Sequence, residues 1–195
     1  MGANEDFSHY SAEARLGDGT RLHIRAVTPA DQQELHEAFL RQNPASISRR
    51  FLHAKSDLSA KELAYLTRLD FVNHVALAAE LMHAGDRQGV GIARFIRDPH
   101  APTEADVAFM VDDRFHGLGI CTLLFRHLAQ VAAQAGIETF TADVRADNAP
   151  MIAVFEKFGP VQWRSLPEGL LHVRVKLGDE QGREAHAAQP PDLWL

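Results

Sequence analysis

Apolar and polar residues alternate from Thr20 to Val27, with Leu22 and Ile24 on one side, the period-two pattern of a strand with one buried face. Thr28, Pro29 and Asp31 then supply an N-cap, a first-turn proline and a carboxylate that can bond back to the cap. Leu35, Ala38 and Phe39 follow at helical spacing. The pattern weakens over 43–58, where Ser46 to Leu52 fits a short helix or a loop equally well. Ser59 and Glu62 have the spacing of a capping box ahead of Leu63, Leu66 and Leu69, which predicts a second long helix.

Two strands are expected at His74–Leu81 and Gln88–Arg97, joined as a hairpin by the polar segment His83-Ala84-Gly85-Asp86-Arg87. A strand over Glu104–Val111 leads to a helix over Gly117–Gln134, whose stripe is Leu124, Leu128 and Val131. A further strand, Glu138–Val144, precedes a helix capped by Asp147 and stopped by Gly159-Pro160. Val161–Ser165 and Leu170–Leu177 form a last strand pair. Residues 1–19 show no sustained period and are read as an extension, with Gly17-Asp18-Gly19 a turn. The polar tail, 178–195, ends in Leu193-Trp194-Leu195, which is expected to dock locally. The order β-α-α-β-β-β-α-β-α-β-β predicts an α/β (α+β) fold in one domain, 20–177, with a mixed central sheet flanked by helices.

Composition narrows the class. With 195 residues, 46% of them hydrophobic, the chain can bury a core without disulfides or a structural metal. Its 20 basic and 26 acidic residues leave a net charge of -6, which argues against broad nucleic-acid binding. No apolar run approaches the roughly 18 residues of a membrane span, and the first residues are too polar for a secretory leader. The single Cys121 suits a reducing compartment, so a cytoplasmic location is expected. Eleven histidines occur without His-Glu-x-x-His or Cys-x-x-Cys spacing, and no metal site is expected.

Chemistry concentrates in Val111-Asp112-Asp113-Arg114-Phe115-His116-Gly117-Leu118-Gly119-Ile120, where a strand gives way to a glycine-led helix. Glycines let a ligand approach the backbone, and the unpaired amides of a first helical turn suit a phosphate or pyrophosphate. Arg114 can add a charged contact. A tight turn without a ligand is the plain alternative. No Gly-Lys-Ser/Thr follows, and the third glycine of a dinucleotide fingerprint is missing.

Arg114-Phe115-His116-Gly117-Leu118-Gly119 resembles the acyl-coenzyme A loop, Arg/Gln-x-x-Gly-x-Gly/Ala, of the GNAT superfamily of N-acetyltransferases. Asp147-Asn148-Ala149-Pro150-Met151-Ile152, leading through Phe155-Glu156-Lys157-Phe158-Gly159, resembles that superfamily's second cofactor-side motif. A narrower resemblance is to the acetyltransferase domain of bacterial protein-lysine acetyltransferases that modify acyl-CoA synthetases. It rests on Ser46-Ile47-Ser48-Arg49-Arg50-Phe51, on Leu58-Ser59-Ala60-Lys61-Glu62-Leu63, and on the stretch from Leu69-Asp70-Phe71 to Ala79.

The resemblance implies acetyl-CoA as cofactor, held by backbone at Phe109, Met110 and Val111, by Arg114 and the amides of Phe115, His116, Gly117, Leu118, Gly119 and Ile120, and by Asn148. Phe155 stands where many of these enzymes carry a tyrosine that protonates the leaving thiolate. A strand glutamate accepts the amine proton in the lysine-acetylating relatives, and motif spacing puts Asp106 at its position, with Glu104 as the second candidate. The implied acceptor is a primary amine, either a small molecule or a protein lysine, attacked in a ternary complex. Because Asp106 and Phe155 depart from the family pattern, a non-catalytic acyl-CoA-binding regulator is the rival reading. Arg49 and Arg50 are open to two readings, an anion contact or a solvated patch.

Overall fold

The computed structural model describes residues 6–83 and 86–178. Eight strands form one mixed sheet in the order β1-β2-β3-β4-β5-β6-β8-β7. In chain order they are β1 (Ser11–Arg15), β2 (Arg21–Ala26), β3 (His74–His83), β4 (Asp86–Arg97), β5 (Glu104–Val111), β6 (Thr139–Arg145), β7 (Val161–Leu166) and β8 (Leu170–Lys176). The helices are α1 (Gln32–Arg41), α2 (Pro44–Phe51), α3 (Ala60–Thr67), α4 (Ile120–Gln134) and α5 (Ala149–Lys157). The expected mixed sheet flanked by helices is therefore the observed architecture.

Alternation along the strands assigns each helix a face. Val75, Leu77 and Ala79 of β3, Phe95 of β4, and Ala105 and Val107 of β5 join Leu124, Phe125, Leu128 and Val131 of α4 in the main core. Phe125 is its hub, stacked on Phe158 at 3.9 Å and on Phe109 at 5.5 Å, with Phe140 and Phe155 edge-on. Burying rings of this size contributes up to ~3 kcal/mol each. Gly91 lets α4 come close, because a Cβ there would meet Leu124 and Ile120 at 3.1 and 3.2 Å. The opposite sheet face carries α1, α2 and α3, which share a smaller core around Phe39, Ile47 and Leu58.

Three local readings are corrected, and one left open is settled as a helix. β1 lies inside the segment read as an extension; it pairs antiparallel with β2 from Ser11↔Arg25 to Arg15↔Arg21, and its small and polar residues give no hydrophobic contrast. The weak region contains α2, started by Asn43, whose side chain accepts from Ser46 N–H, and by Pro44 in the first turn. Asn148, not Asp147, caps α5, while Asp147 pairs with Arg145 at 3.1 Å. The helix expected from Gly117 begins at Ile120, because Gly117 and Gly119 hold φ of 80° and 88°. Leu193-Trp194-Leu195 lies outside the described residues. Among the described residues no helix is long and apolar enough to cross a membrane.

Candidate active site

β5 and β6 are parallel neighbours only over Glu104–Asp106 and Thr139–Thr141. Beyond Asp106, β5 stays bonded to β4 as far as Val111, while β6 stays bonded to β8 as far as Arg145. The two strands thus separate into a V, with Asp106 and Thr141 the last paired residues at its apex. A parted strand pair presents unpaired backbone donors and acceptors to whatever enters the gap. Phe109, Met110 and Val111 lie on the β5 arm, beyond its last pairing with β6.

The open end is built from backbone. Leu123 N–H donates to Gly119 C=O at 3.0 Å, so the amides of 120–122 stand ahead of the first intrahelical bond of α4. A Cβ added to Gly117 or Gly119 would meet nothing within 4 Å, and both residues and Leu118 are exposed. This open cradle of amides at a helix start fits a pyrophosphate. The charged side chains around it are already engaged. Arg114 donates through Nε and Nη2 to buried Asp112 at 2.9 and 2.7 Å, and Arg41 approaches the same carboxylate at 3.7 Å. The Arg114 contact first of all holds the Asp112 carboxyl below the usual carboxylate range. Asp113 accepts from Asn43 N–H and Ser46 Oγ, both at 2.6 Å, fastening the start of α2 beside the loop. His116 is turned toward the Val111 carbonyl, 2.9 Å from Nε2.

The closed end is built from side chains. Asp106 reaches solvent but is walled by protein, and this desolvation, reinforced by the neighbouring Asp143 charge, raises its carboxyl from 3.8 to about 6. Arg50 of α2 and His172 of β8 act in the opposite direction. Glu104, two residues earlier on the same face, is in a different state. Arg174 of β8 grips both its oxygens at 2.6 Å and keeps its pKa low. Of the two candidate bases, only Asp106 makes no hydrogen bond to the described residues. Asp143 is bonded to His172 Nδ1 at 2.7 Å.

Asn148 and Phe155 flank the β6 arm. Asn148 caps α5 by accepting from Met151 N–H at 3.4 Å, which uses only its side-chain oxygen. Phe155 is 1% exposed and packs against Phe109 and Phe125, so its ring belongs to the core beneath the gap. Burial pushes the Cys121 thiol up to about 12, which disarms it as a nucleophile. Sequence reasoning gave no role to Arg41, Asp143 or His172. Arg41 pairs with a residue far along the chain, and the other two meet across β6 and β8. A hollow also lies between α1 and the sheet, lined by residues that include Leu35, Ala38 and Ile92, and it reaches the cleft at Met110 and Asp112.

Residues 21–161 match the family model described as an acetyltransferase (GNAT) domain, and the chain belongs to this family. It is 29% identical to Acetyltransferase Pat of Mycolicibacterium smegmatis over 143 residues, covering 73% of this chain and 42% of that protein, so it spans less than half of that relative. The crystal structure of the GNAT domain of S. lividans PAT is 31% identical, with a TM-score of 0.79 over 89% of this chain and 100% of that one. The fold is also shared with yncA from Salmonella typhimurium, solved with its cofactor acetyl-CoA. That chain is 16% identical, with a TM-score of 0.65 over 89% of this chain and 99% of its own.

Proposed function

We propose that this chain transfers the acetyl group of acetyl-CoA directly to a primary amine, with Asp106 accepting the amine proton. The observation that carries the reading is the place of Asp106: a carboxylate with no hydrogen bond to the described residues, at the apex of the parted strands, raised to about 6. A base of that strength is ionised at neutral pH yet able to hold a proton as the amine attacks. Bound acetyl-CoA supplies an electrophilic thioester carbonyl. Amides around Gly117 and Gly119 hold the pyrophosphate, and the β5 arm holds the pantetheine. Asp106 takes the proton directly or through one water, its side chain being a methylene shorter than a glutamate's. Phe155 has no proton to give, so the departing thiolate takes one from solvent. The resemblance of Ser46-Ile47-Ser48-Arg49-Arg50-Phe51 and of the stretch from Leu69 to Ala79 to protein-lysine acetyltransferases supports a protein lysine as acceptor, and the reaction is assigned to the cytoplasm.

Calorimetric titration with acetyl-CoA, followed by a thiol-release assay over amines and lysine peptides, tests the reading. Saturable binding with acetyl transfer is expected, and absence of binding overturns it. Binding without transfer to any acceptor favours the rival reading, an acyl-CoA-binding regulator, which the buried Phe155 supports.

A further inference from the structure

Two cations sit over the closed end of the gap without a bonded carboxylate among the described residues. Helix α2 touches both β5 and β6, and Arg50 lies in its last turn. The half-buried Arg50 guanidinium makes no hydrogen bond or ion pair with the described residues; its Cζ lies 5.0 Å from the Phe51 ring centre, and Asp106 acts on it through space. Arg94 of β4, beside it, is 4% exposed. Its Nη1 reaches His74 Nε2 at 3.0 Å and the Leu66 carbonyl at 3.3 Å. Both partners are uncharged, since burial and then Arg94 itself hold His74 down near 4. Arg94 therefore has acceptors but no counter-charge in contact. Its own pKa falls to about 9, through burial first and then through Arg50.

Like charges withdrawn from water are costly unless an anion joins them. Asp106 acts on Arg50 through space only, with no hydrogen bond or ion pair to either arginine among the described residues. The phosphates of the cofactor belong to the other end. Asp106 and Asp112 are six strand residues apart, ~20 Å at ~3.3 Å per residue, and the pyrophosphate amides follow Asp112. An anion that meets Arg50 therefore comes with the acceptor.

We propose that Arg50, backed by Arg94, forms a carboxylate-binding subsite of the acceptor cleft, so that the acceptor amine brings an anionic group with it. The carboxylate is either that of a small amino acid or that of an acidic residue next to an acceptor lysine. The subsite rests on the acetyl-transfer reading and deepens it. A planar guanidinium takes a carboxylate through two parallel hydrogen bonds, which fixes the ligand's direction. A fixed carboxylate aims the amine at Asp106 and the thioester. An amine lacking the anion leaves the cations unmatched and is disfavoured.

The test is calorimetric titration of the CoA-loaded full chain with two matched pairs of probes. One pair is N-acetylglycine and N-acetylglycinamide; the other is an acetyl-lysine peptide flanked by Glu and its Gln twin. In at least one pair the carboxylate member binds about tenfold tighter or more, and the pair that discriminates identifies the source. Arg50→Gln abolishes the preference, Arg50→Lys keeps part of it, and Arg49→Gln leaves it intact, all with unchanged CoA affinity. Equal affinity within both pairs, or a preference that survives Arg50→Gln, overturns the subsite while acetyl transfer stands. A wild-type chain that binds neither CoA nor any probe overturns both.

Discussion

The two ends of the strand gap are built on opposite plans. At the open end the charged side chains are already engaged: Arg114 and Arg41 with Asp112, and Asp113 with the Asn43 N–H and the Ser46 hydroxyl. What stays open there is backbone amides, whose positions follow from two glycines with φ of 80° and 88°. At the closed end Asp106 and Arg50 have no hydrogen-bond partner among the described residues, and burial moves both toward their neutral forms. One end offers an open cradle of backbone amides. The other holds unsatisfied chemistry, which is what a reaction and a choice of acceptor require.

The contrast predicts that variants at the two ends fail in different quantities. Asp106→Ala is expected to lower kcat for acetyl transfer by ~100-fold or more, the usual worth of a positioned base, with acetyl-CoA affinity unchanged by calorimetry. Asp106 also has a stability signature. Its raised pKa means that the folded state holds the proton more tightly than the unfolded one. Stability should therefore fall as pH rises from 3.8 through about 6, and Asp106→Asn should flatten that slope in denaturant titrations. Gly119→Ala should do the reverse of Asp106→Ala. A left-handed φ costs a non-glycine residue ~1–2 kcal/mol, so acetyl-CoA affinity should drop about tenfold with little change in kcat at saturation. Equal losses of affinity in both variants would erase the division between the ends.

The same division explains what could be read from the sequence. The open end was legible because glycine spacing, a strand end and a helix start are local properties of a ten-residue stretch. Asp106 was reached only through the family resemblance, by its spacing of eleven residues before Gly117. Arg50 was legible as one of two candidate anion contacts, but not its setting, because Arg94 and Asp106 lie 44 and 56 positions further along the chain. His172 and Asp143 meet only through the β6–β8 register. Asn43-Pro44 did carry a local signal, a capping residue before a first-turn proline; starting the element at Ser46 passed over it. β1 had no comparable signal, being a short edge strand of alternating exposed and half-buried residues.

Asp113 joins the two ends, since it anchors α2 beside the cofactor loop while α2 carries Arg50. Asp113→Ala removes an acceptor of two 2.6 Å bonds. Hydrogen bonds to a charged group contribute ~1.5–3 kcal/mol, and that range bounds the expected loss of folding stability by denaturant titration. If α2 is held chiefly through this carboxylate, the carboxylate-over-carboxamide preference weakens as well. An unchanged preference would show that the core around Ile47 and Phe51 positions Arg50 alone.

The smallest effect is expected at Glu104, and it divides the two candidate bases most finely. Glu104 and Asp106 share a strand face, but Arg174 occupies both oxygens of Glu104 and lowers its pKa, while Asp106 is raised to about 6. Glu104→Gln should leave the acidic limb of the pH–rate profile at its midpoint near 6, with kcat within about threefold, since the group that titrates there is Asp106. Its stability cost at neutral pH should be ~0–1 kcal/mol, as for a pair still reached by solvent. That deficit should shrink as pH falls through the depressed pKa of Glu104, because the wild type then loses the same ion pair. A midpoint that moves with Glu104→Gln but stays with Asp106→Asn would transfer the proton to Glu104, and the Arg174 clasp would then have to open during turnover.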